Sequence, residues 1–165
     1  MKELYQKNIV DFLMTQLGKP YVWGDRGPDS FDCSGLTFYT FMELFDLDIE
    51  RGGYGVGDTT KQMTSSVGNL VQYKEDDLKK KKYIQEINIG DLLFFHRQSL
   101  EESCPTPNNR YPGHVGIYIG ENQFIHASSK EEKVVISSLD EEWIKCLVGC
   151  KNILDTIILK KDLSL

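Results

Sequence analysis

The residues of this chain that could do chemistry are a cysteine and two histidines placed far downstream of it. Cys33 sits in the run Phe31-Asp32-Cys33-Ser34-Gly35, and an apolar stretch from Leu36 to Phe45 begins directly after it. A thiol at the mouth of a helix meets unpaired backbone N–H groups and the positive end of the helix dipole, both of which favour thiolate over thiol. At neutral pH a free cysteine is still mostly protonated, so a nucleophilic one needs a base within hydrogen-bond reach. That base in turn needs a polar partner to hold its tautomer and its aim. His114, in Gly113-His114-Val115-Gly116, and His126, in Phe124-Ile125-His126-Ala127, stand on strand-like segments. A short turn between them would make the strands neighbours, and their even offset would put both rings on one face. The chemistry such a set performs is attack of sulfur on a carbonyl, through a thioester. Taken singly, each member has a plainer reading: Cys33 as a buried core thiol, either histidine as a satisfied core residue. The remaining histidine, His96, is the one rival base.

The elements that must position these groups can be read from periodicity. Tyr5, Ile9, Val10, Phe12, Leu13 and Leu17 recur at helical spacing, and Gly18 and Pro20 stop the run, which predicts a helix over 3–17. Gly24, Gly27 and Pro28 make the approach to Cys33 a loop. Leu36 to Phe45 is apolar on nearly every side, so this helix belongs in the centre of the domain. The glycine-rich run over 50–57 follows no strand and has the wrong spacing for a dinucleotide fingerprint, so it is read as a surface loop. Lys74 to Lys82 is read as a solvated charged helix or loop.

From there the period shortens. Runs at 92–95, 115–119, 123–126 and 133–136 read as strands, with Gly120-Glu121-Asn122 as a hairpin turn and Val148 to Ile158 as a last strand. Asp91 reads as a turn residue. A long polar loop with Pro105, Pro107 and Pro112 lies between Phe95 and Gly113. Helices first and strands later predict an α+β domain, the nucleophile helix packed on a central antiparallel sheet. With 165 residues and no visible linker, the chain is read as one domain, its core over about 3–158 and a tail over 159–165.

Composition narrows the partners. Hydrophobic residues make up 40% and charged ones 27%, ordinary for a globular protein. Nineteen basic against 25 acidic residues leave a net charge of −6, which argues against nucleic acid or an anionic membrane as partner. No run reaches the ~20 apolar residues that span a bilayer. Residues 1–17 hold Glu3 and Asp11 and no continuous apolar core, so no signal peptide is visible. Cys33, Cys104, Cys146 and Cys150 match no zinc-ligand spacing, so no metal or other cofactor is expected; the cysteines are expected to be reduced at the site of synthesis, Cys146 and Cys150 as buried free thiols.

Five segments together resemble one family. They are Tyr21-Val22-Trp23-Gly24, Phe31-Asp32-Cys33-Ser34-Gly35, Gly90-Asp91-Leu92-Leu93-Phe94-Phe95, Gly113-His114-Val115-Gly116-Ile117-Tyr118-Ile119-Gly120 and Phe124-Ile125-His126-Ala127-Ser128. In this order they are similar to the NlpC-type peptidoglycan cysteine peptidases, papain-like enzymes that cut stem peptides of the bacterial wall. The resemblance implies Cys33 as nucleophile, His114 as base and His126 as third member. It also implies Tyr21 near the reacting carbonyl, and Asp32 and Ser34 lining a pocket for the free amine of the peptide. Asp25 departs from the pattern, standing where a second glycine is usual. The implied substrate is a peptidoglycan stem peptide, met at the cell wall. Export by another route, a phage-associated setting or a place within a larger enzyme all stay open. So do two other uses of the set: amidase or acyl-transfer chemistry, and a non-catalytic wall-binding or assembly module of the same fold.

Overall fold

A computed structural model describes residues 1–96 and 112–164. The long polar loop before Gly113 falls almost wholly outside them, at 97–111. Helix α1 (Lys2–Met14) is followed by α2 (Cys33–Phe45) and α3 (Asp58–Thr64). The first strand, β1 (Asn69–Gln72), precedes a short helix α4 (Glu75–Lys79) and a 3-10 turn at Lys82–Gln85. Strands β2 (Leu92–Phe95), β3 (His114–Gly120), β4 (Gln123–Ser128) and β5 (Lys133–Ser138) follow in succession. Helix α5 (Glu141–Ile144), strand β6 (Leu147–Asn152) and helix α6 (Leu154–Leu163) complete the order. The six strands pair antiparallel throughout, in the order β1-β6-β2-β3-β4-β5. The fold is therefore α+β, with the central helix and strands β2 to β5 where the periodicity placed them.

The alternation along the strands sorts two cores. Leu92, Phe94, Val115, Ile117, Ile125 and Val134 face one way and pack with Ile9 and Leu13 of α1 and Leu36 and Phe41 of α2. Leu93, Phe95, Phe124 and Leu147 face the other way, under Leu78, Tyr83 and Trp143. Helix α2 is buried along Cys33 to Thr37 and again at Thr40 and Phe41, as an all-round apolar helix must be. Between β3 and β4 the turn residues Glu121 (φ 50°) and Asn122 (φ 59°) are both left-handed, the conformation a tight hairpin of this hand requires.

Four expectations need correction. The first helix stops at Met14, not 17, because the Thr15 hydroxyl and the Gln16 amide both turn back onto the Phe12 carbonyl. The last apolar run is not one strand to Ile158. It breaks after Asn152, whose Oδ1 accepts a hydrogen bond from the Asp155 N–H and so starts α6. The expected tail is helical as far as Leu163. Cys146 is disulfide-bonded rather than reduced, while Cys33 and Cys150 are free. Spacing counts thiols but does not say which Cβ atoms come within bridging distance. The segments 58–64 and 69–72, unassigned by periodicity, are α3 and β1.

Candidate active site

Asp32 starts the site. It caps α2, its Oδ1 accepting the Gly35 N–H at 2.7 Å, with the Ser34 hydroxyl at 3.3 Å. Its Oδ2 takes the Gly24 N–H at 2.9 Å, which draws the Tyr21–Gly24 segment against the helix start. Gly35 is the close approach that makes this possible. A Cβ there would lie 2.0 Å from the Asp25 carbonyl oxygen and 2.8 Å from Asp32 Oδ1. Asp25, the departure from the family pattern, thus seats its backbone on Gly35, and its carbonyl accepts the Asp32 N–H at 2.9 Å.

Cys33 follows the cap as the first helical residue and is 5% exposed. Its sulfur lies 3.8 Å from Thr59 Oγ1 on α3. Burial pushes the thiol up to about 11; hydrogen bonds from Thr59 and from the Val115 and Ser34 backbones pull it down, and the Asp32 carboxylate pushes it up further. The helix start favours thiolate, as the sequence suggested, but at this depth desolvation of the charge pushes the other way.

His114 opens β3, beside the Val115 backbone that meets the sulfur. Its Nε2 is 2.8 Å from His126 Nδ1. The register that pairs Ile117 with Ile125 carries Gly116 opposite His126. A Cβ on Gly116 would lie 2.8 Å from the Phe124 ring and 3.2 Å from His126 Cβ. Glycine therefore leaves the His126 ring room to lean diagonally toward His114. Both rings are walled in: His114 stacks on Trp143 and His126 on Phe124. Burial holds His114 down to about 3 and His126 well below the ordinary range, the latter also disfavoured by its neighbour. His114 Nδ1 is buried without a hydrogen-bond partner among the described residues. The structure thus brings Cys33, His114 and His126 to one end of the sheet. His96, the rival base, is buried at the end of β2.

A cleft of about 270 Å³ opens over the sulfur, lined among others by Tyr21, Asp32, Cys33, Ser34 and Thr59. Tyr21 lies between the cleft and the core, and burial, then Cys33, then Asp32 push its phenol up to about 12. The sequence reading missed the residues behind the cleft. Gln62 of α3 donates to the Ser34 carbonyl (2.9 Å) and to Glu50 (3.1 Å) and accepts from the Thr37 hydroxyl (2.6 Å). Arg26 bridges Glu50 (2.7 Å) and Asp58 (2.8 Å) with its guanidinium over the Phe38 ring. These contacts clamp α3 to α2 and set Thr59 beside the sulfur. Ser137 was missed too; its Oγ lies 2.8 Å from His126 Nε2. No spacing rule could find them, since the partners of each lie on other segments of the chain. Among the described residues no cluster of ligand-type side chains could hold a metal.

Residues 18–151 match the NlpC/P60 family. The chain is 33% identical over 144 residues to the probable endopeptidase YafL of Escherichia coli K12, covering 86% of this chain and 47% of that protein. It is 30% identical over 150 residues to the murein DD-endopeptidase MepH of the same organism, covering 90% of this chain and 46% of that one. It spans just under half the length of each. Among solved structures, the NlpC/p60 domain of the peptidoglycan hydrolase SagA superposes with a TM-score of 0.59 at 28% identity, over 89% of this chain and 97% of that one. NlpC2 of Trichomonas vaginalis superposes with a TM-score of 0.65 at 25% identity, over 90% of this chain and 46% of that one. The fold is the papain-like one of these domains, and the chain belongs to the NlpC/P60 family.

Proposed function

We propose that this chain is a cysteine peptidase that hydrolyses an amide bond in peptidoglycan stem peptides, with Cys33 as nucleophile, His114 as base and His126 as its orienting partner. The observation that carries the reading is the buried relay. His114 turns Nε2 to His126 and leaves Nδ1 bare among the described residues, on the strand whose Val115 backbone meets the sulfur that lines the cleft. The names of the relatives supply the substrate class. Residues 1–165 act as one catalytic domain on this reading. It is supported by β1 pairing with β6 and by the 3.0 Å ion pair between Lys2 of α1 and Asp155 of α6.

The resting pair is neutral, a thiol beside an imidazole, because burial disfavours both charges. The thiol proton therefore passes to His114 Nδ1 as the sulfur–carbon bond forms, not before. The Cys33 N–H, one of the unpaired donors at the start of α2, and the Tyr21 hydroxyl face the developing oxyanion. His114 then gives its proton to the leaving amine, and the thioester remains. Water, deprotonated by His114, attacks that carbonyl, releasing a carboxylic acid and restoring the thiol. Asp32 and Ser34 hold the free amine of the peptide, since a carboxylate beside a hydroxyl suits an ammonium group.

Digestion of defined wall peptides, with and without a free amino terminus, tests both parts. The expected outcome is cleavage between residues of the stem, preferring the free amine. Cys33→Ala should lower it by orders of magnitude. Full activity in Cys33→Ala would sink the mechanism, and indifference to the amine would remove the role of Asp32 and Ser34. Products cut at the sugar link, read by mass spectrometry, would make the enzyme an amidase instead.

A further inference from the structure

The relay does not end at His126. Val135 of β5 is the register partner of His126, and Ser137 lies two residues on, so it faces the same side of the sheet. Its hydroxyl sits 2.8 Å from His126 Nε2. Unlike the two histidines, which are 0% and 2% exposed, Ser137 is only partly buried.

We propose that Ser137 is a fourth member of the relay, a positioning residue that accepts the terminal hydrogen bond and thereby fixes the tautomer of both histidines. The inference rests on the reading of His114 as base. A base must present a bare nitrogen to the thiol. The nitrogen of His114 without a partner is Nδ1, so its proton sits on Nε2 and is donated to His126 Nδ1. His126, neutral because it is buried, then carries its own proton on Nε2 and donates it to Ser137 Oγ. The reverse polarity disables the base. If the serine donated to Nε2, His126 would carry its proton on Nδ1. That proton would face the N–H of His114 or force His114 to protonate on the nitrogen that must stay bare. Neither ring is exposed enough for bulk water to sort the tautomers. The choice falls to the one hydroxyl at the end of the chain. Its own proton can turn to solvent because Ser137 keeps an exposed edge.

The test is ¹⁵N-histidine NMR of the resting protein together with steady-state kinetics on a wall peptide. In the parent, His114 and His126 should both show the Nε2–H tautomer, with His96 identified by substitution. Ser137→Ala should mix the tautomers of His126. It should lower kcat by about ten- to a hundredfold, the scale of leaving a buried N–H without its acceptor, with KM nearly unchanged. Ser137→Thr keeps a hydroxyl and should restore both readouts. Unchanged tautomers in Ser137→Ala, an unchanged kcat, or a loss that threonine does not restore would each overturn the proposal. The NMR arm needs no turnover. A failure of the peptidase reading, seen as an active Cys33→Ala, is thus distinguishable from a failure of this one.

Discussion

At Cys33 two influences oppose each other. Burial lifts the thiol, while the Thr59 hydroxyl and the Val115 and Ser34 backbones favour the thiolate. Thr59 is the adjustable one, because it is a side chain 3.8 Å from the sulfur. One hydrogen bond of this kind contributes about 0.5–1.5 kcal/mol, or roughly two- to tenfold in rate. Thr59→Val keeps the shape and removes the hydroxyl. Alkylation of Cys33 by iodoacetamide at fixed pH should slow by about that factor, its pH profile moving upward, and Thr59→Ser should restore it. An identical profile in the valine variant would mean that Thr59 merely lines the cleft. A helix-dipole argument from sequence holds only one side of this balance. The dipole is legible in Asp32-Cys33-Ser34, but the depth of the sulfur is set by neighbours from other elements.

At the scale of elements, α3 is the piece on which the cleft depends. It is seven residues long, too short to persist without tertiary support. Lys151 of β6 provides that support. Its ammonium is 1% exposed and reaches the carbonyls of Gln62 (2.8 Å), Met63 (3.2 Å) and Ser65 (2.9 Å), with Ser65 Oγ at 2.8 Å. A cation at a helix C-terminus satisfies carbonyls that the helix itself cannot. Lys151→Met keeps the bulk and strands those carbonyls in the interior. The expected result is a loss of about 2–4 kcal/mol in urea unfolding, since several buried acceptors lose their donor at once. KM should rise as well, because Thr59 and Asp58 of α3 line the cleft. Unaltered stability would show that α3 is held by the Gln62 and Arg26 contacts alone.

Across the whole molecule, buried titrating groups pull stability in opposite directions with pH. His114 is held down to about 3, so between pH 6.5 and 3 the unfolded chain takes up a proton that the fold refuses. Stability therefore falls as pH falls through that window, and His126 acts in the same sense. Asp91 does the reverse. Burial lifts it to about 7, its Oδ2 taking the Asn88 N–H at 2.9 Å while Oδ1 has no partner among the described residues. Its contribution is full below the unfolded carboxylate range and is lost as pH rises through about 7. Asp91→Asn should then stabilise the protein by about 2–4 kcal/mol at pH 8 and by little at pH 4. Urea midpoints across pH check this, and a constant offset would refute the assignment. The order of Cys33, His114 and His126, the central helix, the four middle strands and the hairpin turn were all legible in the sequence. Local patterning carries them: period, caps, and the left-handed turn at Glu121-Asn122. Thr59, Gln62, Arg26, Lys151 and Ser137 were not legible, because their partners lie tens of residues away or on a neighbouring strand, and no local rule encodes that distance. The sequence by itself determined which groups could react and on which elements they ride. Only the tertiary structure decided how deep they sit, which nitrogen of His114 is left bare, and what holds the rest. Desolvation and hydrogen-bond partnership belong to the packed assembly, not to any one segment of the chain.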